Sequence, residues 1–394
     1  MENLKYWVAF SKITYTHSNF VKKLWENFGC IKQAWNAPTS ELVSIAGMRS
    51  KTIEGFLEKR KNIDPDRLLD KVLDDDVKVI TLEDKNYPFL LKQIDNMPFI
   101  LYMKGSLEFC NLEKTLAVVG SRKCSNEISS VLGGLIAQLQ GTDITIVSGL
   151  ALGVDSIAHQ QALKNNLKTI AVLGSGFDEL YPKQNKKLFE DIIKANGAVL
   201  SEYYPDTRPD KKTFPLRNRI VSGLSKGCLV AEAGDRSGAL ITARLALEHN
   251  RELMCIPGAL YNPNTYGTHK LLKEGAGLVT CATDILDYLS LESKMVIRNQ
   301  LQISFSPSIE TKTFSNTPKP KDNKEKEQPV ENKNIELLDN ERKVYEIIKL
   351  EPKQFDEIIK ESNFSAGELM CLLTTMELKG IINQLPGQKF VSAI

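Results

Sequence analysis

Six side chains in and just before the segment FPLRNRIVSGLSKG are of types that bind nucleic acid. They combine cations, an amide and an aromatic ring: Lys211, Lys212, Phe214, Arg217, Asn218 and Arg219. Lysine and arginine hold phosphate groups, whereas an aromatic ring stacks on the face of an unpaired base. A duplex hides those faces, so the combination predicts a surface that prefers a single strand.

The two arginines of this segment are not expected to contact the same group. They follow Pro215, which favours the first turn of a helix. Because Arg217 and Arg219 are two residues apart, they point in different directions on a regular helix. We therefore expect one of them to face a phosphate site and the other to pair with an acid, either Glu202 or Glu232.

The stretch AVVGSRKCS has the composition of a phosphate-binding turn. Gly120 lets a phosphate approach the backbone, Ser121 supplies a short donor, and Arg122 can grip two phosphate oxygens. Ser125 and Asn126 are placed to cap the helix that follows. The stretch predicts a nest of amides at a helix N-terminus. A glycine turn beside a solvated arginine is the alternative for this motif taken alone.

A second small-residue turn lies in VAEAGDRSGALITARLALEHN. Ser237 and Gly238 stand at a helix start behind a strand, where backbone amides can approach a ligand. The sequence also offers three further aromatic rings as faces for bases, or as ordinary packing: Tyr181, Tyr203 and Tyr204.

Several catalytic and cofactor patterns are missing from the sequence. The turns in SGLALGVDSIAHQQAL and TIAVLGSGFDELYPKQN do not match GxGxxG, and GxxxxGK[ST] does not occur, which argues against a dinucleotide cofactor and a P-loop. Asp155 and His159 are one helical turn apart, and we expect a buried structural pair that orients the loop at Gly149. The sequence predicts no catalytic residue, no metal ion and no cofactor.

Composition sets broad limits on the protein. A chain of 394 residues with 42% hydrophobic and 25% charged residues is expected to form two or three globular domains. A formal net charge of +2 means that any nucleic acid must be met by a local patch. The seven cysteines form no CxxC pair, the N-terminus does not resemble a signal peptide, and no apolar segment is long enough for a membrane helix. We expect a reduced, cytoplasmic protein.

Residues 1–110 are expected to form a mainly helical N-terminal domain. Apolar residues recur at helical spacings around a turn at Gly47: Leu42, Ile45, Met48, Ile53 and Phe56. The pattern is compatible with a helix-hairpin-helix (SAM-like) motif, whose turn amides can face a DNA phosphate. A helical bundle that only packs on its neighbour is an equally acceptable interpretation.

Residues 111–290 are expected to form a doubly wound, Rossmann-like α/β domain with a mostly parallel sheet. Seven short apolar segments alternate with helical patterns: TLAVVG, DITIVSG, KTIAVLG, GAVLSEY, GCLVAEA, RELMCIPG and AGLVTC. Continuously apolar strands indicate a sheet that is covered on both faces. Ligands of such sheets bind at the carboxyl ends of the strands, where the glycine-rich and basic turns fall.

The remaining residues divide into a linker and a small third domain. Residues 291–336 are rich in Lys, Glu, Asn, Ser and Pro, a composition typical of a disordered linker. Three amphipathic helices and a short strand in residues 337–394 predict a winged-helix-like domain. Its third helix carries Glu368, Met370 and Glu377 and little positive charge, so a protein contact is as acceptable as DNA recognition.

These motifs together resemble the DNA-processing protein A family (DprA, also called Smf) from about residue 120 to residue 276. The resemblance rests on segments in a fixed order: VGSR, SGLALGVDSIAH, TIAVLGSGFDELYP, FPLRNRIVSGLS, EAGDRSGALITA, IPG and GTHKLLKEGA. The sequence departs from the family at Asp206 and Thr207, where a glycine is often found, and at His269, where an asparagine is usual.

The resemblance implies a protein that binds single-stranded DNA and does not hydrolyse nucleotides. It implies a homodimer that protects incoming DNA and helps to load the recombinase RecA during natural transformation. It also implies DNA contacts at Arg122 and along Lys211 to Phe214, with Arg217 to Arg219 in or beside the same pocket.

Two other classes of function remain as alternatives. One is a Rossmann-type nucleotide phosphoribohydrolase acting on a small phosphorylated ligand, but its PGGxGTxxE motif is replaced here by AGDRSGALITA, without the glutamate. The other is a purely structural interaction protein, which would leave Arg122, Arg217 and Arg219 without a function.

Overall fold

The computed structural model describes residues 2–14, 18–46, 50–291, 339–349, 353–362, 364–379, 381–385 and 389–392. The chain forms two compact units, which lie within residues 1–302 and 303–394. The predicted linker from residue 292 onward, and the predicted turn at Gly47 and Met48, fall outside the described residues. Leu291, the first residue of the predicted linker, is described and packs against the smaller apolar cluster of the sheet.

The first unit begins with six helices. Helices α1 to α6 span Leu4–Thr14, Ser18–Phe28, Ile31–Asn36, Thr39–Ala46, Ser50–Lys61 and Pro65–Asp74. Local sequence explains the start of α6, where the Asp64 side chain accepts hydrogen bonds from the amides of Asp66 and Arg67 and Pro65 occupies the first turn. The mainly helical character expected for this region is observed.

Nine strands of the described chain form one sheet. Strands β1 to β9 span Lys78–Thr81, Ile100–Gly105, Thr115–Gly120, Thr145–Ser148, Thr169–Leu173, Ala198–Ser201, Gly227–Glu232, Glu252–Cys255 and Gly277–Leu278. Their order is β1-β2-β6-β5-β4-β3-β7-β8-β9. Strands β3 to β9 are parallel and coincide with the seven predicted segments. The doubly wound, mostly parallel sheet is therefore confirmed.

Two strands lie before residue 111, in the region that was predicted to be helical. β1 pairs with β2, and β2 pairs with β6, both in antiparallel orientation. β1 is the edge strand and β2 lies between it and β6. Antiparallel strands need no crossover helix, so the alternation of strand and helix did not predict them. The boundary proposed between residues 110 and 111 stays a prediction.

Helices cover both faces of the sheet. Helices α7 to α14 span Phe89–Lys92, Asn126–Gln138, Val154–Lys164, Lys186–Lys194, Thr213–Gly223, Ala239–Glu248, Tyr266–Lys273 and Ala282–Tyr288. Within β3, Leu116 and Val118 join one apolar cluster, whereas Ala117 and Val119 join the other. Burial on both faces is the reason that the strands are continuously apolar.

The N-terminal helices share a core with the sheet. The larger cluster contains Trp7 and Phe10 of α1 together with Val172 of β5 and Val230 of β7. A hydrogen bond of 2.5 Å joins the hydroxyls of Ser11 and Tyr102, which ties α1 to β2. The first six helices and the sheet therefore pack as one compact unit.

The second unit has the order of elements of a winged helix. It contains α15 (Asp339–Ile348), β10 (Lys353–Gln354), α16 (Phe355–Ser362), α17 (Ala366–Leu378), β11 (Ile382–Leu385) and β12 (Lys389–Ser392). The strand order is β10-β12-β11. A capping box starts α17, because the Ser365 hydroxyl accepts the Glu368 amide and the Glu368 carboxylate accepts the Ser365 amide. The winged-helix prediction is confirmed in this architecture.

No helix in the described residues combines the length and apolarity needed to cross a membrane.

Candidate nucleic-acid interface

A cleft of about 830 Å³ opens at the carboxyl ends of the parallel strands. The chain runs from β3 outward through β4, β5 and β6, and then returns to the other side of β3 with β7. The turns that follow β3, β4 and β7 line the cleft, together with the first half of α11. This is the switch point of the sheet, which is where ligands of doubly wound folds bind.

Most of the predicted contact residues come together in this cleft. Those that line it are Gly120, Ser121, Arg122, Lys211, Phe214, Arg217, Asn218, Ser237 and Gly238. Lys212 is exposed next to Lys211, and its amide donates to the Asp210 carboxylate over 2.7 Å. Arg219 lies beside the cleft and not in its lining.

Arg219 has the partner expected for one of the two arginines. Its Nη2 atom donates to both carboxylate oxygens of Glu202, over 2.6 and 2.8 Å. Both side chains are buried, with side-chain exposures of 7% and 3%. Arg219 therefore holds α11 against the end of β6 and is not exposed to the cleft.

Arg217 forms the floor of the cleft. It is 5% exposed, and its Nη1 atom donates to the backbone oxygen of Val172 in β5. Burial lowers the pKa of the guanidinium, and the nearby carboxylate of Asp155 opposes this shift. The guanidinium lies directly against Gly149, where a Cβ atom would overlap it. Only glycine leaves room for this arginine.

Asp155 orients the loop after β4, as expected. Its Oδ2 atom accepts hydrogen bonds from the amides of Gly149 and Ala151, over 3.1 and 3.4 Å. Burial raises the pKa of this carboxyl group, and Arg217 and the two amides oppose the shift. His159 is buried but bonds elsewhere, since its Nδ1 atom lies 2.7 Å from the Thr169 hydroxyl. The two residues are both structural, although they do not contact each other as a hydrogen-bonded pair.

Phe214 presents an aromatic surface between two neighbours. The Arg122 guanidinium lies 5.7 Å from the centre of its ring, and the Tyr181 ring lies 5.7 Å away at 60°. Gly174 makes this position possible, because a Cβ atom there would come within 2.7 Å of the Phe214 ring. Phe214 is partly exposed and Tyr181 is 47% exposed, so both can meet a ligand.

The other two tyrosines have no such surface. Tyr203 and Tyr204 are 0% and 1% exposed, so the interpretation of these rings as faces for bases is wrong. The Tyr203 hydroxyl donates to the backbone oxygen of Thr213, which helps to fix the start of α11. Tyr204 packs instead against the Tyr102 ring of β2, and its hydroxyl donates to the backbone oxygen of Leu68 in α6.

The turn after β3 is built differently from a simple phosphate nest. The Ser121 amide donates to the backbone oxygen of Glu232 over 2.7 Å, and its hydroxyl bonds locally to Lys123. Gly120 is required for packing, because a Cβ atom there would come within 2.5 Å of Val154. Ser125 caps α8 as expected, by accepting the Ile128 amide. The exposed Arg122 is thus the cation that this turn presents to the cleft.

The opposite wall adds a cation outside the predicted contact set. Arg236 is exposed and lines the cleft just before Ser237 and Gly238, at the start of α12. The exposed Asp235 lies beside it and reduces the local positive charge. The signal for Arg236 in the sequence is its place directly after β7 and before the small residues that start α12. Tyr181, which the sequence offered as a further ring for bases, also lines the cleft.

The described residues contain no group of three or more His, Cys, Asp or Glu side chains arranged to hold a metal ion. Asp155 is used within the fold, and the exposed acids of the cleft lining, Asp210 and Asp235, are separate single carboxylates. What the cleft offers chemically is a set of cations around an aromatic ring.

The fold and the cleft define a class: a Rossmann-like α/β protein with a basic, aromatic switch-point cleft and a winged helix. A model of the family described as DNA recombination-mediator protein A matches residues 78–290. A model of the DprA winged helix domain matches residues 328–388. The chain belongs to the DNA recombination-mediator protein A family, and the resemblance identified from the motifs is confirmed.

Individual relatives agree with this assignment. The chain is 31% identical over 395 residues to Protein Smf of Synechocystis sp., covering 98% of both chains. It is 43% identical over 246 residues to DNA processing protein DprA of Streptococcus pneumoniae, covering 62% of this chain and 85% of that one. The crystal structure of DprA from Streptococcus pneumoniae covers 72% of this chain and 95% of its own, with 38% identity and a TM-score of 0.62.

Proposed function

We propose that this protein is a recombination mediator that binds single-stranded DNA in the switch-point cleft. The observation that carries the proposal is the contact between the Arg122 guanidinium and the Phe214 ring, at 5.7 Å, on the rim of a cleft with further cations. A cation for a phosphate and a ring for a base are thereby placed one nucleotide apart or less. Membership in a family of DNA recombination mediators supports this proposal.

In the protein without DNA, the Arg122 guanidinium occupies the position over the Phe214 ring that we propose for a base. Arg122 covers the ring of Phe214 in a cation–π contact, which is worth about 0.5–1 kcal/mol at an exposed site. A base that stacks on Phe214 gains about 1–3 kcal/mol. The base can therefore displace the guanidinium, which then becomes available for the adjacent phosphate.

The site acts by binding and not by catalysis. Asp155 is the buried carboxylate of the cleft lining. It accepts hydrogen bonds from the amides of Gly149 and Ala151 and lies near Arg217, so its role is to hold the loop and not to act as an acid or base. The exposed cations of the cleft lining are Arg122, Lys211 and Arg236, and Lys212 lies next to them. So few charges give one protomer a modest affinity, with a logarithmic salt slope of about −2 to −3 for a single strand.

Further parts of the proposal concern assembly and partners. A homodimer would place two clefts on one strand and raise the overall affinity by avidity. Such a dimer would protect incoming DNA in the cytoplasm and pass it to the recombinase RecA during natural transformation. We also propose the division into domains at residues 1–110, 111–290 and 337–394, with a linker at 291–336.

The test is fluorescence anisotropy of a labelled oligonucleotide, single-stranded and duplex, across a salt series. Arg122→Ala should lower single-strand affinity about tenfold and reduce the magnitude of the salt slope by about 0.7, the value for one phosphate contact. The Lys211→Ala/Phe214→Ala double variant should lose more. Lys194→Ala is the control, because this exposed lysine ends α10 and so lies away from the carboxyl ends of the strands.

Three outcomes would contradict the proposal. Wild-type protein could bind duplex as tightly as single strand, or Arg122→Ala could bind like Lys194→Ala. Release of free base from nucleoside monophosphates by wild type, with no oligonucleotide binding, would instead support the phosphoribohydrolase alternative.

A further inference from the structure

The loop between β8 and α13, residues 256–265, carries two unusually exposed side chains at its tip. Tyr261 is 86% exposed and Leu260 is 82% exposed, the highest values among the large hydrophobic side chains that the structure describes. Single exposed apolar residues are common on protein surfaces. Two adjacent ones with almost no contact to their own protein are a feature that a ligand can use.

Local hydrogen bonds hold this loop in shape, so the exposure is built into it. The Thr265 hydroxyl lies 2.9 Å from the backbone oxygen of Ala259 and 2.8 Å from that of Asn262. The Asn262 side chain accepts the Asn264 amide over 2.9 Å. His269, the residue that departs from the family pattern, lies with its Nε2 atom 2.9 Å from the Gly258 oxygen. These hydrogen bonds connect the two ends of the loop, and the side chains at its tip are exposed to solvent.

The same loop stands on the wall of the cleft. Asn264 is one of the residues that line the cleft. The Gly267 amide, at the start of α13, donates to the backbone oxygen of Ala233 over 2.7 Å, immediately after β7. A Cβ atom at Gly234 would lie 3.2 Å from the backbone oxygen of Pro263, so the two segments are in close contact. The tip therefore lies beyond the wall that carries Arg236.

We propose that Tyr261, flanked by Leu260, is a second stacking platform for the bases of a single strand that leaves the cleft past Arg236. The inference rests on the proposed function and extends it. Every base has a π face, so an exposed ring on a rigid loop binds bases with little sequence preference. Arg236 would hold the phosphate between the two platforms, and Leu260 would contact the sugar or a thymine methyl group.

The test compares oligothymidylates that fill only the cleft with longer ones, from about 4 to 16 nucleotides. Tyr261→Ala should leave affinity for the shortest oligonucleotide unchanged and lower affinity for the longer ones about 5- to 150-fold, the value of one stacked base. Tyr261→Phe keeps the ring and should bind like wild type. A strand substituted with 5-iodouracil should form a photocrosslink at Tyr261.

Phe89→Ala is the matched control. Phe89 is also highly exposed, at 73%, but it begins α7, which contacts the C-terminal end of α11. The oxygens of Leu90 and Gly223 both accept a hydrogen bond from Nη2 of Arg251, which places α7 away from Phe214 at the other end of that helix. Phe89→Ala should not change affinity at any length.

The outcomes separate this inference from the proposed function. If Arg122→Ala weakens every oligonucleotide but Tyr261→Ala weakens none, the second platform is wrong and the cleft remains the DNA site. If Tyr261→Ala lowers the molar mass measured by light scattering and no crosslink forms, the tip is an interface between copies of the chain, and the inference is overturned. If wild type binds no oligonucleotide, the proposed function itself fails.

Discussion

Gly149→Ala tests whether the floor of the cleft is built as the structure indicates. The new methyl group would overlap the guanidinium of Arg217, which is 5% exposed and donates to the Val172 oxygen. Displacing it removes a charge-assisted hydrogen bond, worth about 1.5–3 kcal/mol, and separates the cation from Asp155. We expect a loss of about 2–4 kcal/mol in the free energy of unfolding, with weaker binding of single-stranded DNA.

The assay is urea unfolding followed by circular dichroism, with the shift in midpoint read at constant m value. Gly134→Ala is the control, since this glycine lies in α8 with nothing within 4 Å of the place that the new methyl group would take, and it should gain up to about 1 kcal/mol. In an Arg217→Met background, Gly149→Ala should cost less than about 1 kcal/mol, because the overlap has been removed. Additive costs for the two changes would refute the reasoning.

Three other changes give expected outcomes. Glu202→Gln should lower the free energy of unfolding in urea by about 3–5 kcal/mol, because it removes the carboxylate that pairs with the buried charge of Arg219. A loss of about 1 kcal/mol or less, the value of an exposed ion pair, would contradict this. Gly174→Ala should push the Phe214 ring aside and lower single-strand affinity about 5- to 10-fold in anisotropy titrations, whereas unchanged affinity would exclude stacking on that ring. Burial lowers the pKa of His159 from 6.5 to about 3, so the unfolded chain takes up its proton first as pH falls. Wild type should therefore lose about 2–3 kcal/mol more stability than His159→Gln between about pH 7 and pH 4.5, and parallel curves would contradict this.

Local pattern is sufficient for the elements of the sheet domain. Segments such as TLAVVG and TIAVLG are apolar throughout because β3 and β5 are buried on both faces, and turn residues mark their ends. The antiparallel strands β1 and β2 are not predictable in this way. β1 is the edge strand, and the pairing of β2 with β6 depends on contacts distant in the sequence.

The candidate site shows the same division. The residue types around Arg122 and Phe214 were sufficient to predict a surface for phosphates and a base. They were not sufficient to include Arg236 among the predicted contacts, because its place in the cleft depends on the wall that the start of α12 forms after β7. The burial of Tyr203 and Tyr204 was likewise decided by contacts with α11 and with α6 and β2, which are distant in the sequence, and not by the chemistry of the rings.

By itself, the sequence determined the class of fold, the order of the family motifs and the kinds of group available for binding. It also determined that the side chains of Arg217 and Arg219 must point in different directions, because residues two apart lie on different faces of a helix. Only the tertiary structure decided which arginine lines the cleft and which one pairs with an acid. Glu202 at the end of β6 meets Arg219, whereas Gly149 and Val172 from two other strands leave a space that Arg217 fills. The direction of a side chain on a helix depends on the local sequence alone. The partner of a buried charge depends on the order of the strands in the sheet, which brings distant residues together.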